Sequence, residues 1–522
     1  MIPKGKVMLA LTAILILSAI GAMMLLENNK VGNSKDSGGG MNPGQSPTYR
    51  PVYHFSVPDG WKNDPQKPVY YKGEYHYYYL YNKDYPSGNG TEWRHSVSKD
   101  LLHWKDAGVA IPKYSDENGD PWSGTVVIDH ENTAGYGRDA FIAIVTQPSG
   151  DAGRQEQFLW YSTDGGYSFQ KGGEHPVLKN PGTNDFRDPK IIWDEERGQW
   201  TILLAEGSRI GFYQSPDLKK WTYTGDFQTE DMGVLECPDL FRMRAEDGTV
   251  KWILGMSANG EGKGEPHTYA YWTGEFDGRT FQADQDKAQW LDHGFDWYGA
   301  VTFGENGSEE PASKRYSFAW MNRWAYADIT PTMEADGFNG SDSIIREIQL
   351  NIGSRGEYKL FSKPHSSLNR LAEDSAAMEN IQVNGEVRKL SPKGEAYRIE
   401  AEIDGGNSRN FGFRLRESKD SARHTDAGIN LEEGYSYLNR ANTDNPDRDN
   451  LYQESRALFD GDSRNIQLTI LVDRTSVELF VNDGEAVHTH LVFPSPEDIE
   501  ISIYSEGGEA SFRKVKVESL SG

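Results

Sequence analysis

A polar turn that ends on an aromatic residue returns along the first two thirds of this chain, and a unit that recurs this way restricts the fold more than any single motif. Ser98-Lys99-Asp100-Leu101-Leu102-His103-Trp104 comes back as Ser162-Thr163-Asp164-Gly165-Gly166-Tyr167-Ser168-Phe169 and as Ser215-Pro216-Asp217-Leu218-Lys219-Lys220-Trp221. A looser copy is Thr273-Gly274-Glu275-Phe276-Asp277-Gly278-Arg279-Thr280-Phe281. A period of about 50 to 60 residues leaves room for four short strands per copy, which indicates a β-propeller. The segments between the turns fit. In Tyr75-His76-Tyr77-Tyr78-Tyr79-Leu80 the aromatic residues dominate, with Gly, Asp, Asn and Pro between such runs, and no long amphipathic helix pattern occurs.

After residue 366 the character changes. No tryptophan follows Trp324, and segments such as Tyr397-Arg398-Ile399-Glu400-Ala401-Glu402-Ile403 alternate like half-buried sandwich strands. A chain of 522 residues exceeds one ordinary core. The expected fold is all-β: a five-bladed β-propeller over residues 49–364, then a C-terminal β-sandwich over 366–522. Lys4 and Lys6 precede an uncharged, mostly apolar run over 7–26, so residues 1–30 read as a signal peptide or N-terminal membrane anchor. Residues 31–48, rich in Gly, Ser and Asn, read as a flexible linker. The protein is expected to be secreted, or retained at the membrane if the N-terminal segment stays uncleaved.

A net charge of -25 argues against nucleic acid as a partner, and no protein partner is indicated. With one cysteine, Cys237, there is no intramolecular disulfide. No metal site and no cofactor are expected. The histidines lack His-x-x-x-His spacing, and His488 and His490 read as a solvated pair. The acidic segment 444–449 offers oxygens of the kind Ca²⁺ takes, but reads as a solvated loop.

Three carboxylates stand beside prolines: Asp64 in Trp61-Lys62-Asn63-Asp64-Pro65, Asp188 in Phe186-Arg187-Asp188-Pro189, and Glu236 in Glu236-Cys237-Pro238-Asp239. Proline restrains its neighbour and so holds each acid in place. They fall before the first repeat mark, between the second and third, and after the third, so in a propeller they come from three blades and converge at the channel mouth. Acids arranged this way suit glycoside hydrolysis, in which one carboxylate attacks and another donates a proton.

These motifs, in this order, resemble glycoside hydrolase family 32, the retaining β-fructosidases. The resemblance runs from about residue 50 to the end, and Asp473-Arg474-Thr475-Ser476-Val477-Glu478-Leu479-Phe480 looks like a signature strand of that family's sandwich, with structural acids. It implies Asp64 as nucleophile, Glu236 as acid/base and Asp188 as stabiliser of the transition state. Three acids so close cannot all ionise freely, so Glu236 is expected to hold the proton near neutral pH. The resemblance also implies that Asn63, Trp93, Trp122, Ser123, Arg187, Asp296, Tyr298 and Trp320 bind substrate. Departures narrow the substrate. Gln66-Lys67 replaces the usual Asn-Gly, and Leu80 stands where many members have a glutamine for a terminal fructose. With Asn82-Lys83-Asp84-Tyr85-Pro86, these variations look like bacterial levanases that cut β-2,6-fructan and release levanbiose. The expected partner is therefore the polysaccharide levan. A broad exo-β-fructosidase and a non-catalytic carbohydrate-binding propeller remain alternatives.

Overall fold

The computed structural model describes residues 48–522 except 89, 116, 151, 152, 309, 310 and 354. The expected export segment and nearly all of the linker lie outside these residues. No helix among the described residues is long and apolar enough to cross a membrane.

Five sheets form consecutive blades, each running outward from an inner strand. The inner strands are Gly60–Pro65, Gly124–Asp129, Arg187–Asp194, Glu236–Arg244 and Tyr298–Phe303. In blade 1 the order continues through Glu74–Asn82, Glu92–Ser98 and Lys105–Ile111. The recurring turn of the sequence joins the third strand of a blade to its fourth. Ser98 Oγ accepts the Leu101 N–H at 2.9 Å while Asp100 Oδ1 accepts those of Leu102 and His103. Asp217 repeats this with Lys219 and Lys220, and Asp277 with Arg279 and Thr280. Short acceptors that satisfy turn N–H groups explain the fixed Ser and Asp. Blade 5 makes the same connection, from Arg346–Ile352 to Tyr358–Pro364, without the motif.

The strand Glu74–Asn82 shows why the blades are hydrophobic on both faces. Tyr77, Tyr79 and Tyr81 pack with Phe303 and Phe318 of blade 5, whereas Tyr78 and Leu80 pack with Phe141 and Phe158 of blade 2. A comparable cluster fills each interface between neighbouring blades. Each fully buried aromatic contributes about 1.5–3 kcal/mol. The ring closes where Phe338–Asn339 pairs in parallel with Gly60 and Trp61.

The remaining chain forms two six-stranded sheets around one apolar core that includes Ile399, Phe411, Ile470 and Phe512. This sandwich is fastened to the propeller by buried ion pairs. Arg346 donates to Asp292 at 2.8 Å and to Glu478, and Glu478 also contacts His54 Nε2 at 2.9 Å. Asp473 accepts the Val52 N–H at 2.8 Å. His488 and His490, read from sequence as solvated, are fully buried against this seam, beside His293 and Phe295. Asp447, in the acidic loop, is taken up by Tyr452 N–H and Gln453 Nε2.

Candidate active site

Four of the five inner strands break register near their starts or, in blade 1, around Asp64: between Lys62 and Pro65, Arg187 and Lys190, Glu236 and Asp239, and Tyr298 and Val301. In blades 3, 4 and 5 the bulge carries a left-handed residue, Asp188 (φ 57°), Cys237 (φ 48°) and Gly299 (φ 62°). Such a bulge re-aims side chains at the rim of a sheet. The residues just before it, Arg187, Glu236 and Tyr298, therefore occupy equivalent places in three successive blades, and their side chains meet. Arg187 Nη2 and Nε donate to Glu236 Oε1 at 3.0 and 3.2 Å, and Tyr298 OH donates to Glu236 Oε2 at 2.5 Å. Pro189 and Pro238 follow the bulge residues, which ties the proline signal to this geometry.

Asp64 faces this row from blade 1. Its Oδ2 accepts from Ser123 Oγ at 2.7 Å, while Oδ1 has no partner among the described residues. A Cβ on Gly299 would lie 3.2 Å from that free oxygen, so the glycine gives both the left-handed turn and the space. Asp188 accepts the Cys237 N–H at 3.1 Å, and its own N–H donates to Thr146 Oγ1 at 3.2 Å.

Burial pushes the Asp64 carboxyl up; the Ser123 bond opposes this and the Glu236 charge adds to it. Burial pushes Asp188 up to about 7; Arg187 opposes, and the charges of Glu236 and Asp64 add. Asp64 and Asp188 thus both feel the charge of Glu236. Asp188 is the more deeply buried, with 6 % of its side chain exposed against 22 % for Glu236. Below the acids the channel is closed. Lys190 Nζ lies 2.9 Å from Asp239, Thr302 donates to Asp239 at 2.6 Å, and only about 30 Å³ remains beside Pro65, Cys237 and Val301.

Of the substrate-binding candidates, Ser123, Arg187 and Tyr298 touch the acids directly. Asn63 accepts the Trp61 indole N–H at 3.0 Å, and half-buried Trp122 adjoins Ser123. Three candidates are corrected. Trp93 has no exposed surface: it fills the core between blades 1 and 2 and donates to the Trp122 carbonyl at 2.9 Å. Trp320 is equally buried behind Trp61 and Trp324. Asp296 lies in the sandwich seam, bonded to Arg440 at 2.7 Å and Tyr326 at 2.6 Å. Leu80 is likewise a core residue. Its replacement of a glutamine leaves an apolar interior contact, and so says less about a chain end than the sequence suggested. Gln66 is structural too, accepting the Gly124 N–H at 2.7 Å.

The sequence reading missed Trp324, half exposed and stacked on Trp61 at 6.4 Å, and His267, whose ring meets that of Tyr298 at 5.2 Å. It also missed Gln155 and Asp185, which accept from Arg187. Trp324 closes the segment Trp320-Met321-Asn322-Arg323-Trp324, four residues after the candidate Trp320. Its place after the strand Lys314–Trp320, in a turn, was the available signal for exposure.

The family profile described as "Glycosyl hydrolases family 32 N-terminal domain" matches residues 54–364, and "Glycosyl hydrolases family 32 C terminal" matches 367–519. The chain belongs to glycosyl hydrolase family 32. Among its relatives, a levanbiose-producing levanase of Bacillus subtilis (strain 168) is 56% identical over 474 residues, 91% of each chain. One from Geobacillus stearothermophilus is 57% identical over 397 residues, 76% of this chain and 100% of the relative. The crystal structure of exo-inulinase from Aspergillus awamori superposes with a TM-score of 0.82 at 26% identity, covering 92% of this chain and 99% of that one. As a family 32 member the protein is a glycoside hydrolase with the propeller-and-sandwich fold expected from its sequence.

Proposed function

We propose that the protein hydrolyses the β-2,6-fructofuranosidic bonds of levan with retention, by internal cleavage or release of levanbiose. The observation that carries this reading is the 56–57% identity, across most of the chain, to two levanbiose-producing levanases. The site geometry supports a division of labour. Asp64, with one oxygen held by Ser123 and the other free, attacks the anomeric C2 of a fructosyl unit. Glu236 protonates the leaving oxygen, then takes a proton from the water that releases the fructosyl-enzyme. Arg187 and Tyr298 fix its carboxyl for both steps. Asp188, held by the Cys237 N–H, bonds sugar hydroxyls and steadies the oxocarbenium-like transition state. Asn63 and Trp122 shape the subsite.

We place the reaction outside the cell, on the strength of the basic, then apolar N-terminal segment and of relatives that include an extracellular exo-inulinase of Aspergillus niger. The test is product chromatography after separate incubation with levan, inulin and sucrose. Early levanbiose or short oligomers from levan, with inulin and sucrose nearly untouched, is the expected result. Free fructose from the start, from sucrose or inulin as well, would return the protein to the broad exo-β-fructosidases. No product from any of the three would favour a non-catalytic binder.

A further inference from the structure

His267 belongs to the segment 258–268, which joins Val250–Ser257 to Tyr269–Phe276 in blade 4. The register pairs Ser257 with Glu236 on one side and with Tyr269 on the other, so this segment stands on the same rim as the acid. Arg323 reaches that rim from blade 5, three residues beyond Trp320, which pairs with Tyr298. The two side chains meet. Arg323 Nη2 donates to His267 Nδ1 at 3.0 Å, and the same guanidinium pairs with Glu261 and lies 3.9 Å from the centre of the Tyr452 ring. On its other side the His267 ring stands edge-on to Tyr298 at 5.2 Å, and Tyr298 bonds Glu236.

Arg323 decides the tautomer. A guanidinium only donates, so Nδ1 beneath it accepts and the proton of the neutral ring sits on Nε2. Burial and then the Arg323 charge push the His267 pKa down to about 3, which keeps the ring neutral near pH 6. The Nε2–H has no hydrogen-bond partner among the described residues. It is nevertheless open to solvent: 17 % of the side chain is exposed, and Nε2 is not among the unpartnered polar atoms that burial closes off. A free, accessible donor of fixed direction thus stands beside the carboxyl of Glu236.

We propose that His267 sets specificity for the leaving group: its Nε2–H donates to a hydroxyl of the fructosyl unit that departs with the oxygen protonated by Glu236. Nucleophile and acid flank the scissile bond in a retaining enzyme, so the acid stands on the departing side. His267 is carried by the acid's own blade, outward of the strand that bears Glu236 and away from Asp64 on blade 1. A ring leaving over Glu236 passes it there. A site built to hydrogen-bond a hydroxyl discriminates against a departing group that lacks one. Arg323 is the positioning residue, because it holds the proton on the nitrogen that faces the sugar.

The inference rests on the levan reading above, and the experiment separates the two. kcat/KM is measured for levanbiose release from a β-2,6-linked fructotriose and for methanol release from the methyl β-glycoside of levanbiose. Both substrates set the same two fructosyl units on the Asp64 side and differ only in what departs. His267→Phe keeps a ring against Tyr298 and removes the donor. The ratio of fructotriose to methyl glycoside is expected to fall by about fivefold or more in this variant, the value of one hydrogen bond to a hydroxyl. His267→Gln, which keeps an N–H donor, should recover part of the ratio. Arg323→Met, which lets the ring proton move to Nδ1, should lower it in the same direction. A loss of equal size on both substrates overturns the proposal, since it marks His267 as packing that supports Tyr298 and Glu236. Full activity on both overturns it as well, and either result leaves the levanase reading intact. Should His267→Phe lose the far-ultraviolet circular dichroism of the parent, His267→Ala decides by the same ratio. A parent enzyme that cleaves neither levan nor fructotriose overturns both readings.

Discussion

Ser123 sets how readily Asp64 ionises. Its hydroxyl donates to the carboxylate at 2.7 Å, which favours the charged form against the push of burial. Ser123→Ala is expected to lower kcat/KM at about pH 6 by roughly 10- to 100-fold, the value of one hydrogen bond to a charged group. Because the lost bond held the Asp64 pKa down, the acid limb of the pH–rate profile should also move to higher pH, and that profile is the measurement. At this scale the acids were legible in the sequence because proline marked them. The tryptophans were not. Trp93, Trp320 and Trp324 are the same side chain in similar motifs, yet the first two are core and the third is exposed. A ring that can stack on a sugar can equally fill an inter-blade core, and only its neighbours in space decide between them. The depth of Asp188 was hidden for the same reason, since it depends on strands from several blades.

The unit above the residue is the bulged inner strand. One backbone device, repeated in successive blades, delivers a guanidinium, a carboxyl and a phenol to a common point. Gly299 is its most constrained position, with φ 62° and Asp64 Oδ1 at 3.2 Å from a would-be Cβ. Gly299→Ala should leave the far-ultraviolet circular dichroism unchanged while kcat falls by roughly 100-fold, as expected when a nucleophile shifts by a fraction of an ångström to an ångström. Steady-state kinetics on levan checks this. The sequence announced the outer turns, whose Ser and Asp acceptors are local, but not the bulges. A left-handed Asp188 or Cys237 carries no compositional mark, since neither is glycine. Blade 5 lacked the turn motif and was legible only by counting.

At the scale of the whole molecule, His54 joins the two halves. It lies between Asp473 and Glu478 with no exposed side-chain surface. Burial pulls its pKa down, but bonds to the two carboxylates outweigh this and raise it to about 9. A histidine raised from 6.5 stabilises fully below about pH 6.5 and loses that contribution as pH rises through about 9. His54→Ala leaves buried carboxylates short of a cation and should cost on the order of 3 kcal/mol at pH 6. Denaturant unfolding of parent and variant should show this gap narrowing above pH 9. The seam itself was hidden from sequence reading. Asp296 reads as a sugar ligand and His488 as a solvated group until the sandwich is set against blade 5, while Glu478 reads only as a structural acid with no partner named.

The parallel pairing that latches the ring is short, Phe338 and Asn339 along Gly60 and Trp61, with the Ser56–Ser341 bridge and the Lys62–Asp342 ion pair beside it. On either side of that latch the sandwich takes hold, of Val52 and His54 at the start of the ring and of Asp292 and Arg346 near its end. It therefore works as a keystone across the joint. Asp64 stands on blade 1 and Asp188 and Glu236 on blades 3 and 4, with Gly299 of blade 5 closing over Asp64. Any spreading of the joint separates Asp64 from Gly299 before it disturbs Arg187 or Glu236. The distant domain is thereby a guardian of the position of Asp64, and the two halves have reason to fold and fail together.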